Sequence, residues 1–166
     1  SLNLPKYKTE APYRMYSEHL VLFASLSLDP AEELKIKKIL EIGTWTGTTA
    51  SILSRLFPQA DITTIDLKDD DPLFINSYGR QNQEKRRDFI ERRNNLLNQH
   101  PRVKFMQLNS LEITRLELDK QDLIWVDGDH LYPVAACDII NSVRFCKSDG
   151  IIMCDDVIPI EASRPG

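Results

Sequence analysis

The 166-residue chain has no apolar run approaching the ~20 residues that a bilayer span requires, so a membrane protein of the helical kind is not expected. It has no basic-then-apolar opening of the sort that directs secretion, so export is not expected either. It also has no excess of positive charge. Lys and Arg number 21 against 25 Asp and Glu, a formal charge of −4, which gives no general pull on phosphate backbones. A nucleic-acid binder that works by bulk charge is thereby disfavoured. Cysteine is scarce: Cys137, Cys146 and Cys154 are an odd set without CxxC spacing. They read as reduced thiols of a cytoplasmic protein, small apolar fillers rather than a disulfide frame or a zinc site. Repeats and low-complexity tracts are absent, and glycine is limited to six residues.

What is present is the balance of a soluble domain with a real core: 42% apolar and 28% charged residues. The length suits one domain over 1–166, with an N-terminal helical segment (1–30) and a core over 38–157. Apolar spacing predicts a helix over Tyr13–Leu28, stopped by Asp29-Pro30, then a short helical turn over Pro30–Leu34. The burst Lys38–Gly43 reads as a buried strand, and Thr46–Phe57 as a helix ended by Pro58. Asp61–Leu67, rich in β-branched residues, is the second strand, and Lys68–Pro72 a solvated charged turn. Arg80–Gln99 reads as a surface helix with a thin apolar stripe, its Arg86-Arg87 and Arg92-Arg93 pairs facing solvent. Val103–Leu108 is a third strand, Ser110–Leu118 a short helix or turn, and Asp122–Val126 a fourth strand. Tyr132–Cys146 is a helix offering Val134, Ala135, Ile139, Val143 and Phe145 to the core, and Gly150–Cys154 a fifth strand.

Alternation of strand and helix implies an α/β fold: a Rossmann-like, doubly wound, mainly parallel sheet with helices on both faces. Such sheets bind ligands beyond the carboxyl ends of their strands. Those positions here are Gly43–Thr49, Asp66, Asn109-Ser110, Asp127–His130 and Asp155-Asp156. One acidic strand end is ordinary turn chemistry, whereas five small or polar ends in register point to a site.

Gly43 permits a tight turn and close backbone approach, and Gly47 close packing where the next helix starts. Free N–H groups at that helix start favour an anion. The alternative is that both glycines serve only a turn. Trp45 stands where a dinucleotide fingerprint has its middle glycine, which leaves little room for a pyrophosphate and ranks a nicotinamide enzyme low. A smaller anion such as an amino-acid carboxylate fits. Asp66, 23 residues after Gly43, is placed to accept both hydroxyls of a ribose. Asn109 and Ser110 could bond an adenine edge. Adenine, ribose and carboxylate without a diphosphate describe S-adenosylmethionine.

The stretches EIGTWTGTTA and ITTIDL resemble the first two motifs of catechol O-methyltransferase and its relatives among class I S-adenosylmethionine-dependent methyltransferases. That resemblance implies that Glu41, Gly43, Trp45 and Gly47 belong to the cofactor site, that Thr49 holds the carboxylate, and that Asp66 is the ribose ligand. Asn109 replaces the more usual Asp of its region. DLIWVDGDHLYPVAACDI and GIIMCDDV are similar to macrocin-type sugar O-methyltransferases and to the bacterial DGDH-motif methyltransferases. In metal-dependent members the matching positions bind a divalent cation, which implies Asp127, Asp155 and Asp156 as ligands of Mg²⁺, with Asp127 also at the cofactor. Mg²⁺ would acidify and hold an acceptor hydroxyl. The family fold has seven strands and five are identifiable here, so a sheet without the last two is expected, from an incomplete sequence or with strand five pairing elsewhere. The resulting sheet edge offers a route to pairing with a second copy.

Asp129 matches the proposed base of the sugar methyltransferases, and His130 falls where catechol O-methyltransferase has its catalytic lysine. Asp129 is marginally preferred, with His130, which titrates near neutral pH, as the alternative. Structural readings compete for both: Asp129 as a turn carboxylate and His130 as a loop-fixing side chain. The expected activity is O-methylation of a small hydroxylated acceptor, a sugar or a phenol, with a divalent cation. A metal-independent enzyme using Asp129 or His130 alone, or a non-catalytic S-adenosylmethionine-binding module, are the alternatives. No role is evident for His19 or His100.

Overall fold

A computed structural model describes residues 18–28 and 35–156. Helix α1 (Glu18–Ser27) is followed by β1 (Lys38–Ile42), α2 (Thr48–Leu56) and β2 (Asp61–Asp66). Next come α3 (Pro72–Asn76), α4 (Gln83–Leu97), β3 (Val103–Gln107) and a 3₁₀ turn over Ser110–Arg115. The chain then forms β4 (Gln121–Val126), α5 (Val134–Phe145) and β5 (Cys146–Cys154). The start of the expected first helix, the Pro30–Leu34 turn and Val157 lie outside the described residues.

The strands form one parallel sheet in the order β3-β2-β1-β4-β5. β1 alternates its side chains between two cores, as a strand covered on both faces must. Ile39 joins Phe23 of α1, Leu53 of α2 and Phe57, together with Ile62, Leu123 and Trp125. Leu40 and Ile42 join Ile65, Ile113, Ile124, Val126 and Phe145 of α5 on the other face. Helices therefore cover both faces, as expected. Successive strands step outward from β1 to β3, then resume at β4 on the other side of β1. The reversal opens a crevice at the carboxyl ends of β1 and β4.

Local chemistry explains the element ends. Asp71 caps α3, accepting from the Leu73 N–H at 2.8 Å with Pro72 at the first helical position. Asn82 caps α4 by accepting from the Lys85 N–H at 3.0 Å. α2 stops before Pro58, whose missing N–H cannot continue a helix. Among the described residues no helix is long and apolar enough to cross a membrane.

Three expectations need correction. The turn after β2 is not merely solvated, and Arg93 does not face water. Arg93 is buried on α4, paired two-pronged with Asp69 at 2.8 and 2.9 Å and lying over the Phe105 ring. This pair ties α4 to the β2–α3 turn, because a buried guanidinium demands a carboxylate in fork geometry. Second, α5 gives the core only part of its apolar set: Phe145 is buried, but Ile139, Ile140 and Val143 are exposed. Third, the cysteines are half-buried rather than fully buried, all with free thiols.

Two stability tests follow. Asp69→Ala strands a buried cation and should cost about 3 kcal/mol in urea unfolding; a change within experimental error would refute the pairing's role. Gly43 has φ +99°, and a Cβ there would lie 2.0 Å from the Asp127 carbonyl oxygen. Gly43→Ala should therefore cost at least ~2 kcal/mol, and a variant of wild-type stability would show that the two turns do not touch.

Candidate active site

The register places the expected residues at one rim. Ile42 pairs with Ile65 and Val126, and Val126 with Cys154, so the residues that follow lie side by side. Backbone bonds carry the alignment past the strands. Gly43 donates to Ile65 (2.9 Å), Asp127 to Ile42 (2.8 Å), Asp155 to Val126 (3.0 Å) and Leu108 to Asp66 (2.7 Å). What approaches Gly43 is the backbone of Asp127 and Gly128, not open space. The glycine turn and the DGDH loop are thus in direct contact.

At the turn, Gly47 sits at the N-cap of α2 with φ +77° and can offer no side-chain cap. The first turn of α2 carries no acidic residue, so its N–H groups and dipole can take an external anion. Thr49, half-buried, stands in that first turn. Asp66 binds the turn itself: one carboxylate oxygen accepts from the Trp45 N–H and the other from the Leu67 N–H, each at 2.7 Å. Each oxygen keeps a lone pair for a hydroxyl donor. Trp45 is held at φ 43° by this arrangement, a left-handed conformation that costs an L-residue about 1 kcal/mol.

Below the turn, Glu41 is fully buried in β1. The Thr64 hydroxyl donates to its Oε2, and Thr64 in turn shares a hydrogen bond with Thr44. Oε1 has no partner. Burial is the main reason its carboxyl is pushed up to about 8, against the Thr64 bond; the Asp127 and Asp66 charges add to the rise. Thr64 was not singled out from the sequence. The available signal was a hydroxyl directly across from Glu41, on a strand otherwise built to be buried.

Asn109 caps the 3₁₀ turn by accepting from the Leu111 N–H at 3.0 Å, with half-buried Ser110 beside it. Asp127 is pushed up to about 6, first by burial and then by the Asp155 charge. Asp129 is exposed and accepts from the Leu131 N–H at 2.8 Å, an Asx turn that shapes its own loop. The His130 Nδ1 lies 3.2 Å from an Asp156 carboxylate oxygen. Beneath the loop, buried Asp138 of α5 crowds Gly128, and burial pushes its carboxyl up.

The Mg²⁺ pocket expected from Asp127, Asp155 and Asp156 is not supported by this geometry. Among the described residues no three His, Cys, Asp or Glu side chains converge on a point that would hold a metal ion. Asp156 is taken up by His130, and Asp155 faces a different histidine. His19 of α1 stacks on Trp125 (4.9 Å between centroids) and places its Nδ1 4.0 Å from Asp155. That contact spans most of the chain, so no local pattern announced it. The site does fit a nucleoside-bearing amino acid: an uncapped helix, a carboxylate with spare lone pairs, and a buried carboxyl with an orphan oxygen.

A five-stranded parallel sheet with a glycine turn after β1 and an acidic residue closing β2 is a Rossmann-like fold. By the match of residues 40–157 to the family model, the chain belongs to the methyltransferase domain family. No curated protein sequence matches it. Solved structures share the fold. An O-methyltransferase from Bacillus cereus, in complex with SAH, is 20% identical with a TM-score of 0.56 over 99% of this chain and 66% of its own. A putative caffeoyl-CoA O-methyltransferase from Staphylococcus aureus is 19% identical, with a TM-score of 0.59 over 88% of this chain and 60% of its own. The SAH-bound methyltransferase PaMTH1 of Podospora anserina is 23% identical, with a TM-score of 0.55 over 81% and 52%. The chain thus spans about half to two thirds of these structures.

The buried carboxyl makes a pH prediction. Between about pH 4.5 and about 8 the folded chain keeps a proton on Glu41 that the unfolded chain has lost. Stability therefore falls as pH rises through that window. Glu41→Gln, neutral throughout, should flatten the urea-stability profile between pH 6 and 8. Below pH 6 the Asp127 contribution, of the same sign, should persist. An unchanged slope in the variant would mean that Glu41 ionises normally.

Proposed function

We propose that the chain is the cofactor-binding core of an S-adenosylmethionine-dependent O-methyltransferase that acts on a small hydroxylated acceptor, a sugar or a phenol. The observation that carries this reading is the meeting at one rim of the glycine turn, Asp66 and the His130–Asp156 pair. When bound, S-adenosylmethionine supplies an electrophilic methyl group on a sulfonium.

The residues of the chain bind, align and deprotonate. The uncapped start of α2, with Thr49, takes the carboxylate of the methionyl end. The ammonium of that end favours the ionised form of Glu41, which releases its proton to solvent and leaves the orphan oxygen free to accept from the amino group. Asp66 accepts both ribose hydroxyls, while Asn109 and Ser110 meet the purine edge. Holding an acceptor oxygen in line with the methyl group is worth roughly 7 kcal/mol or more of the barrier. His130 removes the acceptor proton at Nε2, because Asp156 holds Nδ1 and stabilises the imidazolium that forms. Asp129, whose carboxylate is engaged with its own loop, serves better as the support of that base. This favours the metal-independent form of the reaction.

Calorimetry should detect S-adenosylhomocysteine binding to the intact chain, weakened tenfold or more in Asp66→Ala. With radiolabelled methyl donor and a panel of phenols and hexoses, His130→Gln should lower kcat about 100-fold with cofactor affinity unchanged. Turnover should persist in EDTA. Failure to bind S-adenosylhomocysteine would sink the proposal; loss of turnover in EDTA would return the carboxylates to a cation.

A further inference from the structure

The segment between β2 and α4 has no part in the chemistry described so far, yet it reaches the cofactor rim. Tyr78 stacks on Trp45 with 5.5 Å between ring centroids and 28° between planes. Both are held at left-handed backbone angles, φ 52° and 43°, and Gly79 follows at φ 73°. Both rings remain well exposed, Tyr78 at 75% and Trp45 at 54%. Backbone strain and exposed aromatic surface are each unfavourable, and here burial in the free chain offsets neither. Residues in that condition gather at ligand clamps.

The segment is not loose. Arg80 is buried and donates from Nε to the Phe74 carbonyl at 2.8 Å, with its guanidinium 4.0 Å from the Phe74 ring centroid. The same guanidinium lies 5.3 Å from the Tyr78 ring and 5.0 Å from that of Phe89. Arg80 thereby fixes the base of the turn that presents Tyr78. On the facing side, the Trp45 N–H is bonded to the Asp66 carboxylate. The ring pair is therefore tied to the residue that takes the ribose.

We propose that Tyr78, stacked on Trp45, is a cofactor-retaining residue that closes over the nucleoside held by Asp66. This rests on the S-adenosylmethionine reading above. Stacking needs a ring and not the phenol hydroxyl, so Tyr78→Phe should behave as wild type while Tyr78→Ala should not. The two tryptophans make the closure visible, because Trp125 is buried and only Trp45 is open to a quencher.

The experiment titrates S-adenosylhomocysteine and, separately, adenosine into wild type, Tyr78→Ala and Tyr78→Phe, by calorimetry and by acrylamide quenching of tryptophan emission. The expected result is that ligand shields Trp45 in wild type and Tyr78→Phe. In Tyr78→Ala both ligands should bind about fivefold to tenfold more weakly, with Trp45 left quenchable. Wild-type affinity and shielding in Tyr78→Ala would overturn the retaining role while leaving the cofactor reading intact. Absence of binding by wild type would overturn both.

Discussion

The site depends on one close approach: the carbonyl of Asp127 against the Cα of Gly43. No side chain fits between them, and the left-handed angle at Gly43 lets the chain turn away immediately afterwards. The contact lies at the reversal of strand order, between β1 and β4. Through it, a turn that can grip a cofactor and a loop that carries candidate acid–base groups become one rigid corner. The neighbouring strands add Asp66 on one side and Asp155 on the other by ordinary parallel register.

Several of the polar groups buried inside the fold lie close to that corner. Glu41, Thr64 and Thr44 form a buried hydrogen-bonded file under the turn. Arg93 and Asp69 pin α4 behind it, and α4 in turn presents Leu97 to Gly47. Buried polar groups cost stability unless paired, so an orphan oxygen on Glu41 directly beneath the turn is informative. Among the described residues it is a buried polar atom left without a partner, which a ligand at the turn could supply.

Much of this was legible in the sequence because strands buried on both faces are short and β-branched, and because their ends are punctuated by Gly, Asp and Asn. The five strands, the helix after the glycine turn and the rim positions could all be read that way. The pairings that cross long stretches of chain could not. His19 meets Asp155, and Arg93 meets Asp69, through packing that no local period encodes. His130 is visible as a candidate, but the resemblance assigns its partner Asp156 to a cation, since a run of two aspartates does not reveal which way either side chain turns. The apolar spacing of α5 predicts a core-facing helix, yet periodicity does not encode whether a covering layer exists.

That last point has a practical side. On α5, Ile139, Ile140 and Val143 form an oily strip, and β5 ends the sheet with one row of backbone groups unpaired among the described residues. Two sticky surfaces on successive elements are the conditions under which chains associate edge to edge. A single covering layer would bury the strip and complete the backbone pairing of β5 in one step, and a charged residue in place of Ile140 is the smallest change that would oppose it.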